Sequence, residues 1–293
     1  MLESTVEFLR CVRCGSKLDL DVYAKDIEVK EGVLECKKCK LVFPIIEKIP
    51  VLWDDFSKYL TSRKVLGGKM FRSAVTTAMK NFLKSSLAKN ISDPKIVDIS
   101  ALEDRWSTIY QNSKDSKFYL KMKNNLKSLP TSKLVLEYGC SIGIMTSHLS
   151  DSHDMVFGVD KSFNALKYAK KSSDNTNLDY VVADLLSPVF GKLQFDLILA
   201  LNVLELVEPS ELLKHVSKQI TTGNLVISDP YDFDRGIRSV KKPLDEYSLR
   251  KSLEKSNFQI SPKTKNPSFL PWNLKINSRA TLNYKVDLII AKK

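Results

Sequence analysis

Apolar residues along this chain fall into short runs, each closed by a polar or turn-forming residue. Lys133–Leu136, Met155–Asp160, Leu178–Asp184, Phe195–Leu201 and Asn224–Asp229 each have the length and β-branched content of a buried strand. Helical spacing fills intervals between them: Ser210 opens a helix to about Ile220, with Leu212, Leu213 and Val216 behind it. Leu244 to Ser256 reads as a further helix, Phe258-Gln-Ile as a sixth strand, and Val286–Lys292 as a closing strand. Pro267 through Pro271-Trp272 reads as an aromatic loop. Ahead of the first strand, Leu102 to Leu129 predicts one or two helices. Trp53 to about Ser100 predicts a helical linker, with Phe71, Ala74, Met79, Phe82 and Leu83 on one face and Lys80, Lys84 and Lys89 on the other.

The first strand runs into Glu137-Tyr-Gly139-Cys-Ser-Ile-Gly143. Glycine at a strand-to-helix turn supplies a positive φ or lets a ligand approach the backbone, and the following helix directs free N–H groups into the same crevice. The later strands end in Asp160, Asp184 and Asn202. Polar groups at strand C-termini lie where open α/β sheets bind ligands, and an acid at position 160 can hydrogen-bond both hydroxyls of a ribose.

With these residues in place, the C-terminal two thirds resembles the class I S-adenosylmethionine (SAM)-dependent methyltransferase family. Glu137-x-Gly139-x-x-x-Gly143 matches the family's glycine loop, Asp160 its ribose acid and Asp184 its adenine-proximal acid. Phe195-Asp-Leu-Ile-Leu-Ala-Leu-Asn-Val-Leu-Glu-Leu-Val resembles its fourth-strand motif. The middle glycine of the usual loop is Ser141 here. The resemblance implies a Rossmann-like, doubly wound, seven-stranded sheet whose last strand is antiparallel. It also implies SAM held by Glu137, Gly139 and Gly143 on the methionine side, Asp160 on the ribose, Asp184 on the adenine and Asn202 beneath the sulfonium. Trp106 or Tyr110 would line the pocket or pack in the core. Cys140, inside the loop, reads as a small buried residue. His148, His153 and His215 show no metal-ligand spacing.

Nearer the N-terminus, Cys11-x-x-Cys14 and Cys36-x-x-Cys39 form two knuckles separated by residues 15–35. Such a pair matches a four-thiolate zinc ribbon, which leaves no open coordination position and therefore predicts structural rather than catalytic Zn2+. The segment that follows carries Phe43-Pro44 and Ile49-Pro50. Residues 7–53 resemble the small zinc-ribbon domain that activates several tRNA and protein methyltransferases and also occurs fused to methyltransferases. Three parts are therefore expected: a ribbon over residues 1–53, a linker over 54–100 and a SAM-dependent methyltransferase domain over 101–293. The ribbon could shield an apolar face, contact substrate or stabilise the fold.

The 46 Lys and Arg residues exceed the 34 acids and leave a charge of +12, which suits an acidic partner such as RNA or simply a lysine-rich surface. No run of about 18 apolar residues predicts a membrane span. An N-terminus bearing acids and lacking a basic-then-apolar leader predicts a cytoplasmic protein.

The polar-Pro-Pro-aromatic box common among methylases of exocyclic amines and glutamine is absent after Asn202. The fifth strand instead ends in Asp229-Pro-Tyr231-Asp232-Phe233-Asp234-Arg235, acids and aromatics that suit an amine acceptor or form a turn. Tyr231 with Asp229 or Asp232 are the candidates for holding the acceptor and taking its proton, Asp229 and Tyr231 foremost. Methyl transfer to a nitrogen or oxygen of a small amine-bearing metabolite or peptide is one expectation, RNA methylation a second, and a non-catalytic scaffold of the same fold a third. Protein partners and oligomeric state are not legible.

Overall fold

The computed structural model describes residues 1–89, 96–236 and 240–293, with only the backbone of 235 and 236. Part of the predicted linker, residues 90–95, and the Arg235 side chain lie outside the described residues.

In chain order, an antiparallel sheet forms first: β1 (Asp19–Lys25), β2 (Val29–Cys36), β3 (Leu41–Ile46) and β4 (Ile49–Pro50). The linker is three helices, α1 (Phe56–Thr61), α2 (Lys64–Ser73) and α3 (Thr77–Ala88), followed by α4 (Ser100–Gln111) and α5 (Lys117–Leu126). Alternation then begins: β5 (Leu134–Tyr138), α6 (Ile144–Ser150), β6 (Met155–Asp160), α7 (Phe163–Lys171), β7 (Leu178–Val182), β8 (Leu197–Leu201), α8 (Pro209–Gln219) and β9 (Asn224–Asp229). The chain closes with α9 (Glu246–Lys255), β10 (Gln259–Ile260), β11 (Leu270–Lys275) and β12 (Thr281–Lys292).

Local chemistry sets many of these boundaries. The side chains of Asp55, Thr76 and Ser162 accept backbone N–H groups at the starts of α1, α3 and α7, each such cap contributing about 1 kcal/mol. Asp245 and Ser248 form a reciprocal capping box on α9. Pro209 occupies the first turn of α8, where its missing N–H costs nothing.

The chain divides into two compact units, residues 1–108 with 160–191, and residues 109–159 with 192–293. In the first unit the four ribbon strands lie in the order β1-β2-β3-β4. The ribbon belongs to the same unit as α7 and β7. Val51 makes a parallel bridge with Val182 of β7, and the Leu52 N–H donates to the Val182 carbonyl at 2.8 Å. Asp179 of β7, fully buried, accepts from the Leu2 N–H at 2.8 Å and pairs with Lys170 at 2.8 Å; Lys170 also pairs with Glu28.

In the second unit the strand order is β10-β12-β9-β8-β5-β6, with β11 paired to β12. β5 is parallel to β6 and β8, β8 is parallel to β9, and β12 is antiparallel to β9. The order therefore reverses between β5 and β8, the switch point at which doubly wound sheets open a crevice. Every residue of β8 is buried, as expected of an interior parallel strand with neighbours on both edges. The antiparallel last strand is as expected.

One element differs. The expected aromatic loop around Trp272 in fact runs into β11, a strand not anticipated from the sequence. It pairs with β12 from Leu270↔Val286 to Lys275↔Thr281, which makes β12 five residues longer at its start than the apolar run suggested. Leu282 and Tyr284 alternate with exposed polar residues, so that half of the strand carries no continuous apolar signal.

Candidate active site

At the carboxyl end of β5, Glu137 is buried and accepts a hydrogen bond from the Thr146 hydroxyl of α6. Gly139 has φ +70°, and a Cβ there would stand 2.3 Å from Val203 Cγ1, so position 139 requires glycine twice over. The N–H groups of Gly139 and Cys140 both donate to the Val159 carbonyl, at 2.8 and 3.1 Å. Ser141 has φ +48° and Gly143 φ +73°. The loop thus takes a left-handed turn at Ser141, where the resemblance expects glycine, at a cost of about 1 kcal/mol for an L-residue. Cys140 is buried, as expected.

On the neighbouring strand, Asn202 also lies in the left-handed region, at φ +56°. Its N–H donates to the Ser228 carbonyl at 2.6 Å and its side-chain oxygen accepts the Ser228 hydroxyl at 2.9 Å. Glu137, Gly139, Gly143 and Asn202 therefore sit together across the β5–β8 switch point of the second unit. Asp160 and Asp184 belong to the first unit. Asp160 closes β6, and one of its oxygens accepts the Ser162 N–H at 2.8 Å. Its carbonyl accepts from the Ala183 N–H at 3.1 Å, beside Asp184. Asp184 is exposed, and its side chain accepts the Leu186 N–H at 2.9 Å.

The fifth-strand cluster is organised around backbone. Asp229 is buried, with one oxygen accepting the Leu204 N–H at 2.9 Å and the other the Tyr231 N–H at 2.8 Å. Tyr231 has φ +55°, an outlier for an aromatic residue. Its hydroxyl donates to Asp287 at 2.9 Å. Asp287 is in register with Asp229 and is paired with Arg250 at 2.6 Å. Burial, then the Asp287 charge, pushes the Tyr231 hydroxyl well above its ordinary range. Nearby, Trp272 stands between Tyr110 and Tyr284, with ring centroids 6.1 and 5.6 Å away. The Tyr284 hydroxyl donates to Asp232 at 2.8 Å.

Three of these participants were not singled out from sequence. Arg250 and Asp287 are 37 residues apart, and Tyr284 lies in the polar half of β12. The only advance signal was Asp287, an acid inside an apolar run. Tyr110, by contrast, was among the aromatics expected to line a pocket or pack.

In the ribbon, Cys11, Cys14, Cys36 and Cys39 are all unbridged, and their sulfurs lie within 4.8 Å of one another. A tetrahedral thiolate site needs sulfurs about 4 Å apart around a zinc at about 2.3 Å, so the four residues fit the ion. The Ser16 hydroxyl lowers the Cys14 thiol to about 6, which favours the thiolate that binds metal.

Comparison with known proteins agrees with both halves. The family described as "Methyltransferase domain" matches residues 136–227, and the family "Trm112p-like protein" matches residues 3–47. Among solved structures, a chain from a complex containing the Haloferax volcanii Trm112 methyltransferase activator aligns at 14% identity with a TM-score of 0.52, covering 65% of this chain and 96% of that one. A TehB-like SAM-dependent methyltransferase from Corynebacterium glutamicum aligns at 18% identity with a TM-score of 0.48, covering 66% and 99%. The N-methyltransferase NodS from Bradyrhizobium japonicum aligns at 17% identity with a TM-score of 0.46, covering 61% and 98%. A search of curated proteins finds no match. Among the described residues, no helix is long and apolar enough to cross a membrane. Residues 136–227, which carry the glycine loop at the switch point, thus match a methyltransferase domain, and residues 3–47, which carry the clustered cysteines, match a Trm112p-like segment.

Proposed function

We propose that this enzyme moves a methyl group from SAM to a nitrogen or oxygen of a small amine-bearing metabolite or peptide. The observation that carries the acceptor class is the partly exposed Tyr284 hydrogen-bonded to Asp232, which adjoins the Asp229–Tyr231 turn, with the buried Trp272 packed against Tyr284. Aromatic faces beside a carboxylate attract an ammonium or alkylamine.

Glu137, Gly139 and Gly143 are assigned to the methionine side of the cofactor, Asp160 to the ribose, Asp184 to the adenine and Asn202 to the floor beneath the sulfonium. SAM, when bound, supplies an electrophilic methyl whose transfer needs alignment more than a strong base. Asp229 fixes the turn by accepting two backbone N–H groups, and Tyr231 keeps its proton on the side facing Asp287. Asp232 is the acid placed to accept a proton from an amine. The four cysteines hold structural Zn2+. RNA is the second reading, favoured by the charge of +12 and by the Trm112p-like segment.

Calorimetric titration with SAM and with its demethylated product tests the cofactor assignment: micromolar binding supports it, and no binding to either overturns it. Asp160→Ala should weaken binding by about 1–3 kcal/mol, the cost of leaving buried polar groups unpaired; an unchanged Kd removes Asp160 from the ribose. Labelled-methyl transfer to amine metabolites, compared with bulk RNA, separates the acceptor classes. Acceptor binding that falls steeply with salt would favour RNA.

A further inference from the structure

The geometry points to Tyr59, from the segment between ribbon and sheet, as a positioning residue that holds the Asp160–Phe163 turn in the shape the cofactor needs. This rests on the reading of Asp160 as the ribose acid.

The turn leaves β6 at Asp160 and enters α7 at Phe163. Asp160 takes the Ser162 N–H at 2.8 Å, and the Ser162 hydroxyl in turn caps α7 by accepting the Ala165 N–H at 3.3 Å. Two further backbone groups of the turn go to one atom. Tyr59 Oη donates to the Lys161 carbonyl at 3.0 Å and accepts the Phe163 N–H at 3.3 Å. A single hydroxyl more than 100 residues away in sequence thus bridges both sides of the turn.

Tyr59 is itself immobilised. It is 1% exposed, and the Trp53 ring lies 5.0 Å from its own. The Arg63 guanidinium lies over its ring, 4.2 Å from the centroid. Arg63 is buried and is clamped by Glu103 of α4 at 2.7 Å. Burial keeps the Tyr59 hydroxyl protonated well past the ordinary range, so it remains a donor at every working pH. Burial also pushes the Glu103 carboxyl up, against the pull of Arg63, with Asp160 and Lys161 close enough to contribute.

A tyrosine that only filled space here would be replaceable by phenylalanine. Removing Oη instead strands the buried Phe163 N–H and takes the partner from the partly buried Lys161 carbonyl. The turn can then satisfy them only by moving, and Asp160 moves with it. Accepting from both hydroxyls of a ribose requires one carboxylate orientation, so a small rotation of Asp160 costs affinity without unfolding anything.

The test is calorimetric titration of the zinc-loaded full chain with S-adenosylhomocysteine, for wild type, Tyr59→Phe, Asp160→Ala and the double variant. Tyr59→Phe should weaken binding about 5- to 20-fold, and in the Asp160→Ala background it should add less than about twofold, because the two act through one contact. An unchanged Kd in Tyr59→Phe, or full additivity in the double variant, overturns the proposal. If the wild type binds neither the product nor SAM, the cofactor assignment falls and this inference with it. Should Tyr59→Phe fail to fold, Arg63→Lys serves: it keeps the charge opposite Glu103 but loses the planar stack on Tyr59. It should weaken binding several-fold, and unaltered affinity there also counts against the role.

Discussion

In the ribbon, strands β1 to β4 span residues 19–50 and are fastened by four sulfurs drawn to one point. In the second unit, β5, β8 and β9 are buried almost along their full length, with side chains such as Leu136, Leu199 and Val226 fully enclosed. The first is small, and beside buried residues such as Leu34, Phe43 and Ile45 it gathers four cysteines suited to a metal, whose binding would add to its folding free energy. The second is large enough for burial to suffice. The sheet can therefore carry strained positions at Ser141, Asn202 and Tyr231, because the surrounding core over-determines them.

The largest expected effect breaks this contrast in the ribbon. Chelating zinc should unfold residues 7–53, the loss of an interaction on the order of 10 kcal/mol. Amide protection in β5, β8 and β9 should survive, as read by hydrogen exchange. A single loss of all protection would mean that ribbon and sheet unfold as one. Next in size is Leu199→Ala, which opens a cavity between two flanking strands and should cost about 2–5 kcal/mol in denaturant unfolding. The cysteine cluster should keep its metal stoichiometry in that variant.

Ser141→Gly sharpens the point about strain. It should stabilise the second unit by about 1 kcal/mol, measured by thermal unfolding, since glycine has no penalty at φ +48°. SAM affinity should not fall. The smallest effect is on pH. Burial lowers the His153 pKa below its ordinary 6.5, while His153 Nδ1 accepts the Ser132 N–H at 2.8 Å. The folded state thus favours the neutral ring. Stability is fully present above about pH 6.5 and is lost as pH falls through the folded-state value, because the unfolded chain takes up the proton first. His153→Gln should flatten unfolding curves recorded between pH 7 and 5; an unchanged slope would assign the dependence to other groups.

Much of the candidate site was legible because its signals are short-range. The cysteine pairs, the glycine spacing and the strand-terminal acids each lie within a few residues of the element that positions them. The long-range detail was not. The bridge from Tyr59 to Lys161 and Phe163, the Arg250–Asp287 pair and the β11–β12 hairpin each join segments from roughly 10 to more than 100 residues apart. No periodicity encodes such pairs, because they depend on which strands become neighbours. The fifth-strand acids show the same limit. Composition marked Asp229 as a group available to substrate, whereas the fold commits both its oxygens to backbone N–H groups and sets Asp232 against Tyr284.

Sequence alone determined the parallel α/β class, the strand-end acids, the need for glycine at 139 and the four-thiolate knuckles, since each follows from local sterics, local burial or ligand spacing. Tertiary structure alone decided that the ribbon and β7 share a unit, that Trp272 lies in a strand, and that one buried hydroxyl holds the turn after Asp160. Those outcomes depend on long-range pairing, whose free energy is gained only once distant segments have met.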